Sequence, residues 1–545
     1  MGNRECEFNL LDEPWIKVMK RDGTIDEVSL ITVFEQAHLY TDLAGELATQ
    51  NVAVLRLLLA VLHTVFSRVD EHGEDAPIEE TDHALDRWGA LWNANCFPIE
   101  PIKAYLHTQH EKFWLFHPER PFGQALSAAK GTEYSAAKLI GELSESSNKI
   151  RLFPPRTGKD KTEISYAEAA RWLLYVNGYD DTSAKPKGKN LPSPGAGWLG
   201  KLGLITAKGK TLFETLMLNL VLLKEDYEPW EPNVPAWELP KAREGERVEI
   251  TIPDNPAALL TLQSRRLLLE RNNHKVTGYR LLGGDFFSRE NAFNETMTVW
   301  KPIMERGKSN LIIGLGVGSV QYQPKRHDSS KQMWRDFASI VEQNDTKHLP
   351  GVVTWMNQLQ KVELLDKHQM ICFSIASVQY GDKDFFVTDE FSDSLTFYAE
   401  LLTEAGETWK QLALDEIQRC DQIANIVGRL ARDLVKSAGG DEGDAASYRA
   451  KEEFYHRLDL PFRKWLSVLD PSQTVEERNH LQSQWLTYVW KTAAALGEEL
   501  VENAGTAAFV GRMVTEKIKG KELTNHYCAP EVYNKFSYYL KESLK

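Results

Sequence analysis

The chain has 545 residues and a formal net charge of −14, with 42% hydrophobic and 26% charged residues. That apolar content supports a large buried core, and it excludes wholesale disorder and collagen-like or low-complexity architecture. The acidic total excludes a generally basic DNA-coating protein, so any contact with nucleic acid must be concentrated locally.

The first eighteen residues suggest two short strands. Phe8-Asn9-Leu10-Leu11 and Trp15-Ile16-Lys17-Val18 flank a turn at Asp12-Glu13-Pro14. Helical apolar spacing follows over residues 41–66, with Thr41 or Asp42 as the expected N-cap. Its most apolar part, Val52 to Phe66, contains Arg56 and His63 and is too short to cross a bilayer. Phe113 to Phe116 leads into a rigid loop with prolines at 118 and 121. A helix is expected at about Ile164 to Val176, and a strand at Val248 to Ile252. From about Ser392 the apolar period becomes helical, and Gly439-Gly440 ends that run. A second helical run covers about Ala446 to Leu469, interrupted near Pro461. A third opens with a Thr474/Glu477 capping box, a further one spans about Ala507 to Ile518, and a last one starts near Pro530. The expected fold is α+β. A large mixed N-terminal domain covers 1–390, and an antiparallel four-helix bundle covers 391–545.

Five cysteines, Cys6, Cys96, Cys372, Cys420 and Cys528, are scattered and never form a C-x-x-C pair. They support neither a disulfide framework nor a thiolate zinc site, so no metal and no cofactor are expected. With an opening MGNRECEFNL that lacks a basic-then-apolar leader, they point to a reducing cytoplasm and to no membrane partner.

Few motifs suggest catalysis. Gly314-Leu315-Gly316-Val317-Gly318 lacks the spacing of a dinucleotide loop and reads as a glycine-kinked strand. His327-Asp328 could suggest a phosphohydrolase, but no partner ligands stand at metal spacing and Lys325-Arg326 would repel a cation. With no nucleophile elbow, zincin or Walker motif, the expectation is a protein that is not an enzyme.

Charge is uneven instead. Between Lys149 and Lys210 the chain has twelve basic side chains against five acidic ones, a surplus of seven. Lys149, Arg151, Arg156, Lys159 and Lys161 surround the aromatic Phe153. Lys185, Lys187 and Lys189 form a second cluster, and Gly195, Gly197, Gly200 and Lys201 a glycine-rich third. Cations neutralise phosphates, an exposed aromatic stacks on a base, and glycines let backbone amides approach a groove. The alternative is a solvated loop with Phe153 tucked into the core, or a scaffold whose basic loops bind an acidic protein.

The opening Phe8-Asn9-Leu10-Leu11-Asp12-Glu13-Pro14-Trp15-Ile16, the segment Arg120-Pro121-Phe122-Gly123-Gln124 and Gln263-Ser264-Arg265-Arg266, in that order, resemble the large subunit of type I-E CRISPR Cascade, the CasA family. The resemblance covers essentially the whole chain. It implies a non-catalytic subunit that recognises the short PAM in duplex DNA, wedges the duplex open for guide pairing, and recruits a separate helicase-nuclease. Its partners would be guide RNA, double-stranded target DNA, other Cascade subunits and that nuclease. By resemblance, Phe153 docks near the guide RNA, with Lys149 and Arg151 expected beside it, while the charges of Lys159, Lys161, Lys185, Lys187 and Lys189 are expected to face nucleic-acid backbone. Gly195, Gly197 and Lys201 approach the PAM, and Tyr380-Gly381-Asp382-Lys383 is the wedge hairpin, with a tight turn at Gly381. The chain departs from the family at three points. The two zinc-binding C-x-x-C pairs of some members are absent. Arg280 stands where some members insert a lysine into the minor groove. Asp382 or Lys383 stands where some place glutamine at the wedge tip.

Overall fold

The computed structural model describes residues 6–146, 149–182, 191, 193–241, 243–245, 247–304, 320–343, 347–366, 368–518 and 521–543. Lys185, Lys187, Lys189 and the glycines at 314, 316 and 318 lie outside the described residues. The chain divides into two compact units. The first comprises Met1–Lys331, Glu342–Leu365 and Ile371–Ser394; the second comprises Gln332–Val341, Asp366–Met370 and Leu395–Lys545.

The first unit is built on the helix Ala48–Phe66, buried along almost its whole length. It is long and apolar enough to cross a membrane, yet 94% of its most apolar window is buried inside the protein. Arg56 is satisfied there by a two-pronged bridge to Glu295, at 2.7 and 2.9 Å. A buried cation persists only with such a partner. The helix starts later than its apolar spacing suggests, with Leu47 as an N-cap that makes no side-chain bond. Residues Tyr40–Leu43 instead form a strand against Ile16–Lys20. Asp42 pairs with Lys208 at 2.7 Å rather than capping the helix.

The opening strands do not pair with each other. Glu7–Asn9 pairs with Trp114–Phe116, while Ile16–Lys20 is central between Ile25–Val28 and Tyr40–Leu43. Arg265–Asn272 and Lys275–Gly283 form an antiparallel hairpin. Its turn residues Asn273 and His274 both take positive φ, as a two-residue turn of the primed type requires. The expected strand at Val248 to Ile252 shortens to Val248–Glu249, in parallel register with Asp285–Phe286.

A longer hairpin joins Met370–Tyr380 to Val387–Tyr398, and Ile205–Lys208 flanks its first strand. Glu390 on the return strand accepts bonds from the Thr49 amide and hydroxyl at 3.1 and 2.6 Å. These contacts tie the hairpin to the first turn of the core helix. Strand structure thus persists to Tyr398, so the helical period read from Ser392 begins too early; the helix itself starts at Glu407.

The second unit contains four long helices, Glu407–Ala438, Gly443–Leu466, Val475–Glu502 and Ala529–Glu542. Gly439 ends the first in the left-handed conformation, and the Thr474/Glu477 capping box opens the third. The second helix runs straight through Pro461. Phe462 beside it packs on Trp465 and Trp485, contacts that offset the one backbone bond proline removes. Residues 512–518 are not helical: Arg512–Ile518 pairs in register with Lys521–Tyr527. Gly511, at φ +72, stops the short helix Gly505–Val510 just before it.

The division at 390 also omits a segment of this unit. Trp334 stacks on Phe462 at 4.4 Å and donates to Asp459 at 3.0 Å, while Phe337 packs edge-on against Phe397 at 5.1 Å. Large apolar side chains at 332–341 thus complete the helical core from a distant part of the sequence.

Candidate nucleic-acid interface

The helix Tyr166–Tyr179 starts at Ser165, whose hydroxyl accepts from the Glu168 amide at 3.1 Å. Its far end holds the glycine-rich loop. The Gly197 amide donates to the Asp180 carbonyl at 2.8 Å. A Cβ on Gly197 would stand 2.2 Å from the Gly178 carbonyl oxygen, so only glycine fits. Gly197 is therefore buried against backbone, not presented to a groove. Gly195 is half-exposed, has φ +65 and remains available for close approach.

The Gln263-Ser264-Arg265-Arg266 motif clamps this loop. Arg265 donates to the Asp180 carboxylate and to the Gly195 carbonyl, each at 2.6 Å. Its amide donates to Asn177 Oδ1 at 3.1 Å, and the Trp198 amide donates to the Ser264 hydroxyl at 3.3 Å. Trp198 Nε1 reaches Glu295 at 2.8 Å, which links the loop to the Arg56 bridge of the core helix.

The hairpin expected to be the wedge meets the same helix end. Tyr380 is half-buried, and its hydroxyl donates to the Tyr179 carbonyl at 2.6 Å. Burial raises its pKa, so it stays a phenol. Arg326 grips Asp384 through two bonds at 2.7 and 2.8 Å and lies 5.1 Å from the Tyr380 ring centre. The Thr182 amide donates to the Asp384 carbonyl at 2.9 Å. The connection is longer than the tight turn expected. Residues 381–386 intervene between the strands, and Lys383 and Asp384 take the positive φ values, at 54 and 57°, while Gly381 has φ −70. Glycine is needed at 381 for space, since a Cβ there would fall 2.5 Å from the Phe386 ring. Asp382 and Lys383 are exposed, and so are Phe385 and Phe386, at 51% and 39%. The expected wedge ends at Lys383 and omits this aromatic pair, which lies on the longer connection.

The Lys149 loop joins this cluster. The Lys149 ammonium donates to the Phe385 carbonyl, stands 3.8 Å above the Phe385 ring centre and lies 3.8 Å from Asp181. Burial lowers its pKa, and Asp181 partly restores it. Asp181 is itself bridged at 2.6 Å by Lys138, a buried cation with no motif to mark it. Arg151 donates to the Leu143 carbonyl at 2.8 Å, Arg156 bridges Glu142 and Glu168, and Lys161 pairs with Glu145. Lys159 is exposed. Much of this loop's positive charge is therefore already compensated. Phe153 is not tucked into the core: it is 93% exposed, beside Leu152 at 91% and Ile150 at 71%.

Arg280 is not delivered to the glycine loop. It is held by Glu270 at 2.6 Å and Glu133 at 2.8 Å. Its strand neighbour Tyr279 is buried within the field of Asp180 and Asp181. Successive strand residues face opposite ways, so Arg280 faces away from those acids. His327 bonds to the Leu204 carbonyl at 2.9 Å, and Asp328 accepts from the Ser330 amide and hydroxyl at 3.0 and 2.8 Å. That pair builds a turn rather than a metal centre.

A cluster of cations surrounds Lys201. Burial, reinforced by the guanidiniums of Arg265, Arg247, Arg289 and Arg326, pushes the Lys201 ammonium down to about 7. Among the described residues that ammonium has no hydrogen bond or ion pair. Lys301 is lowered in the same way, by burial and then by Arg289, Lys325 and Arg326. Arg289 is exposed at the rim. A bound anion beside Lys201 and Lys301 would relieve the repulsion that these cations impose on them. Sequence reading found Lys201 but missed Arg247, Arg289, Lys301 and Arg326. Those four come from separate segments, so no local charge run reveals them.

Lys201 makes the pH dependence testable. A bound phosphate stabilises the ammonium and raises its pKa, so binding takes up protons near neutrality. Affinity for duplex DNA should then fall as pH rises from about 7 toward the bound-state value, by up to about tenfold per unit. Lys201→Arg, which keeps its charge, should flatten that profile in fluorescence anisotropy titrations. An unchanged profile would remove Lys201 from the interface.

The model of the family described as CRISPR-associated protein Cse1 matches residues 9–496. A CasA/Cse1 protein of Thermus thermophilus is 30% identical over 366 residues, 64% of this chain and 62% of that relative's length. The fold matches Cse1 of Thermobifida fusca with a TM-score of 0.80 at 27% identity over 98% of both chains. It also matches a chain of a CRISPR RNA-guided surveillance complex with a TM-score of 0.65 at 14% identity, over 90% of this chain and 99% of that one. The chain belongs to the Cse1 family of CRISPR-associated proteins.

Proposed function

We propose that this protein is the large subunit of a cytoplasmic RNA-guided surveillance complex. In it, the protein recognises the PAM in duplex target DNA, starts strand opening and recruits a separate helicase-nuclease without itself performing catalysis. One observation carries the reading: the glycine loop, the hairpin tip and the cation cluster around Lys201 all gather around the end of the helix Tyr166–Tyr179.

Each part has a distinct task. Lys201, Arg247, Arg289 and Lys301 attract the backbone phosphates. Gly195, with no side chain to obstruct it, lets the loop backbone approach the groove. Lys383 and the exposed Phe385 and Phe386 face the base step beside it. An aromatic ring can replace the stacking that opening removes, where each DNA step is worth on the order of 1.4 kcal/mol. The exposed Ile150-Arg151-Leu152-Phe153 segment serves a different partner, the guide RNA and the subunits that hold it. Chemistry at His327-Asp328 has no part, because the histidine is committed to a backbone carbonyl.

Reconstitution with the other subunits and guide RNA tests this. The protein should join a complex containing one RNA of defined length. Phe153→Ala should weaken its docking by ~1–3 kcal/mol, the worth of one base stacked on an aromatic. Failure of the unaltered protein to associate with any RNA-bearing complex would refute the proposal. Undiminished docking of Phe153→Ala would reassign the loop alone.

A further inference from the structure

We propose that His526, Cys528 and Glu531 form a binding site for a divalent transition metal of the zinc class, at the junction between the hairpin Arg512–Ile518/Lys521–Tyr527 and the last helix. The donor atoms of these three residues lie within 4.8 Å of one another.

The H-x-C-x-x-E spacing explains how they meet. His526 is near the end of a strand and Cys528 continues its extended path, at φ −144 and ψ 153. Alternation puts residues 526 and 528 on one face and Tyr527 on the other. The ammoniums of Lys436 and Lys535 lie 5.4 and 5.8 Å from the Tyr527 ring centre, and Lys535 stands one turn after Glu531 on the last helix. Cys528 is also the N-cap of Ala529–Glu542, which places Glu531 at the third helical position. A carboxylate there folds back over the N-cap, as in a capping box. Here the N-cap offers a thiol in place of a hydroxyl and makes no side-chain capping bond. Cys528 is free and buried, and it is held in place by Gly511, where a Cβ would come within 2.6 Å of the cysteine Cβ.

The donor chemistry selects the ion. His526 Nδ1 and Glu531 Oε2 are 3.4 Å apart. Tetrahedral zinc with bonds of about 2.0–2.1 Å to nitrogen and oxygen places two such ligands about 3.3–3.4 Å apart. One imidazole, one thiolate and one carboxylate suit a borderline-soft ion, whereas calcium and magnesium take all-oxygen shells. Three protein donors leave a fourth position for water. Metal binding would displace the Cys528 thiol proton to solvent and join the strand to the first turn of the helix. The absence of C-x-x-C pairs excludes a thiolate cage, but it does not exclude this mixed set.

The test uses the full-length chain, stripped with chelator under reducing conditions and titrated with cobalt(II) alone. One equivalent should bind, with the visible bands of tetrahedral cobalt and a thiolate-to-cobalt charge-transfer band, and zinc(II) should displace it. Cys528→Ser should abolish the charge-transfer band. His526→Gln should weaken binding by at least about tenfold, since even residues that merely orient metal ligands cost 10–100-fold. Cys6→Ser, at an exposed cysteine elsewhere, should change nothing. If Cys528→Ser misfolds, the exposed His526 still carries the test. No tetrahedral cobalt in the unaltered protein, or equal binding by His526→Gln, would overturn the site.

Discussion

Arg265→Ala should destabilise the first unit by about 3–5 kcal/mol, the cost of breaking a buried ion pair by removing one member. Arg265 and Asp180 are both almost fully buried and lie 2.6 Å apart. The same guanidinium also holds the carbonyls of Ser264 at 2.9 Å and Gly195 at 2.6 Å. Its removal breaks the buried bridge to Asp180 and frees the glycine loop together. Arg265→Lys should recover only part of the loss, because a single ammonium cannot satisfy a fork of acceptors. Denaturant unfolding would measure the cost, and hydrogen exchange over residues 193–203 would detect the loosened loop. A loss below about 1 kcal/mol, the range of exposed pairs, would contradict the clamp.

The combined substitution Lys201→Met, Arg289→Ala and Lys301→Ala should have the largest effect on DNA binding. Each cation that neutralises a phosphate contributes about 0.9 to the slope of log affinity against log salt. If all three make such contacts, the slope should fall by about 2.7. The folded state should not suffer, since these groups repel one another and burial disfavours the charge on Lys201. Arg280→Ala provides the contrast. Its guanidinium is already held by Glu270 and Glu133, so its loss should leave the slope nearly unchanged. Mobility shifts across a salt series decide between these outcomes. A slope that stays constant in the triple variant would mean that phosphates bind elsewhere.

Helix existence was legible where signals were local. Thr474 marked a helix start, and Gly439 marked an end, because capping uses residues within a few positions of each other. The strand Arg512–Ile518 was missed because a single apolar stretch between helices carries no sign of its partner. Trp334 was assigned to the wrong unit for a similar reason: its stacking partner Phe462 lies more than a hundred residues away. The candidate site divides along the same line. The charge surplus and the loop glycines were visible locally, and so was Lys201. Whether a cation is spent on a neighbour was not. Arg151, Arg156 and Lys161 are committed within their own loop, whereas Lys201 and Arg289 gain significance only when the chain folds Arg247, Lys301 and Arg326 beside them.

The hairpin tip bears the central claim, that this subunit opens the duplex. Tyr380 and Gly381 are poor targets, since one is bonded to Tyr179 and the other is packed on Phe386, and altering either would disturb the fold. The double variant Lys383→Ala, Phe385→Ala removes an exposed cation and an exposed ring instead. The direct measurement is a mobility shift of the assembled complex on two targets, one fully duplex and one already unpaired beside the PAM. The variant should lose affinity for the duplex by roughly tenfold or more, about the 1.4 kcal/mol of one base step. It should bind the pre-opened target nearly as well as the unaltered protein, because the energetic task has been removed. Equal losses on both targets, or no loss on the duplex, would contradict the assignment of this hairpin as the wedge.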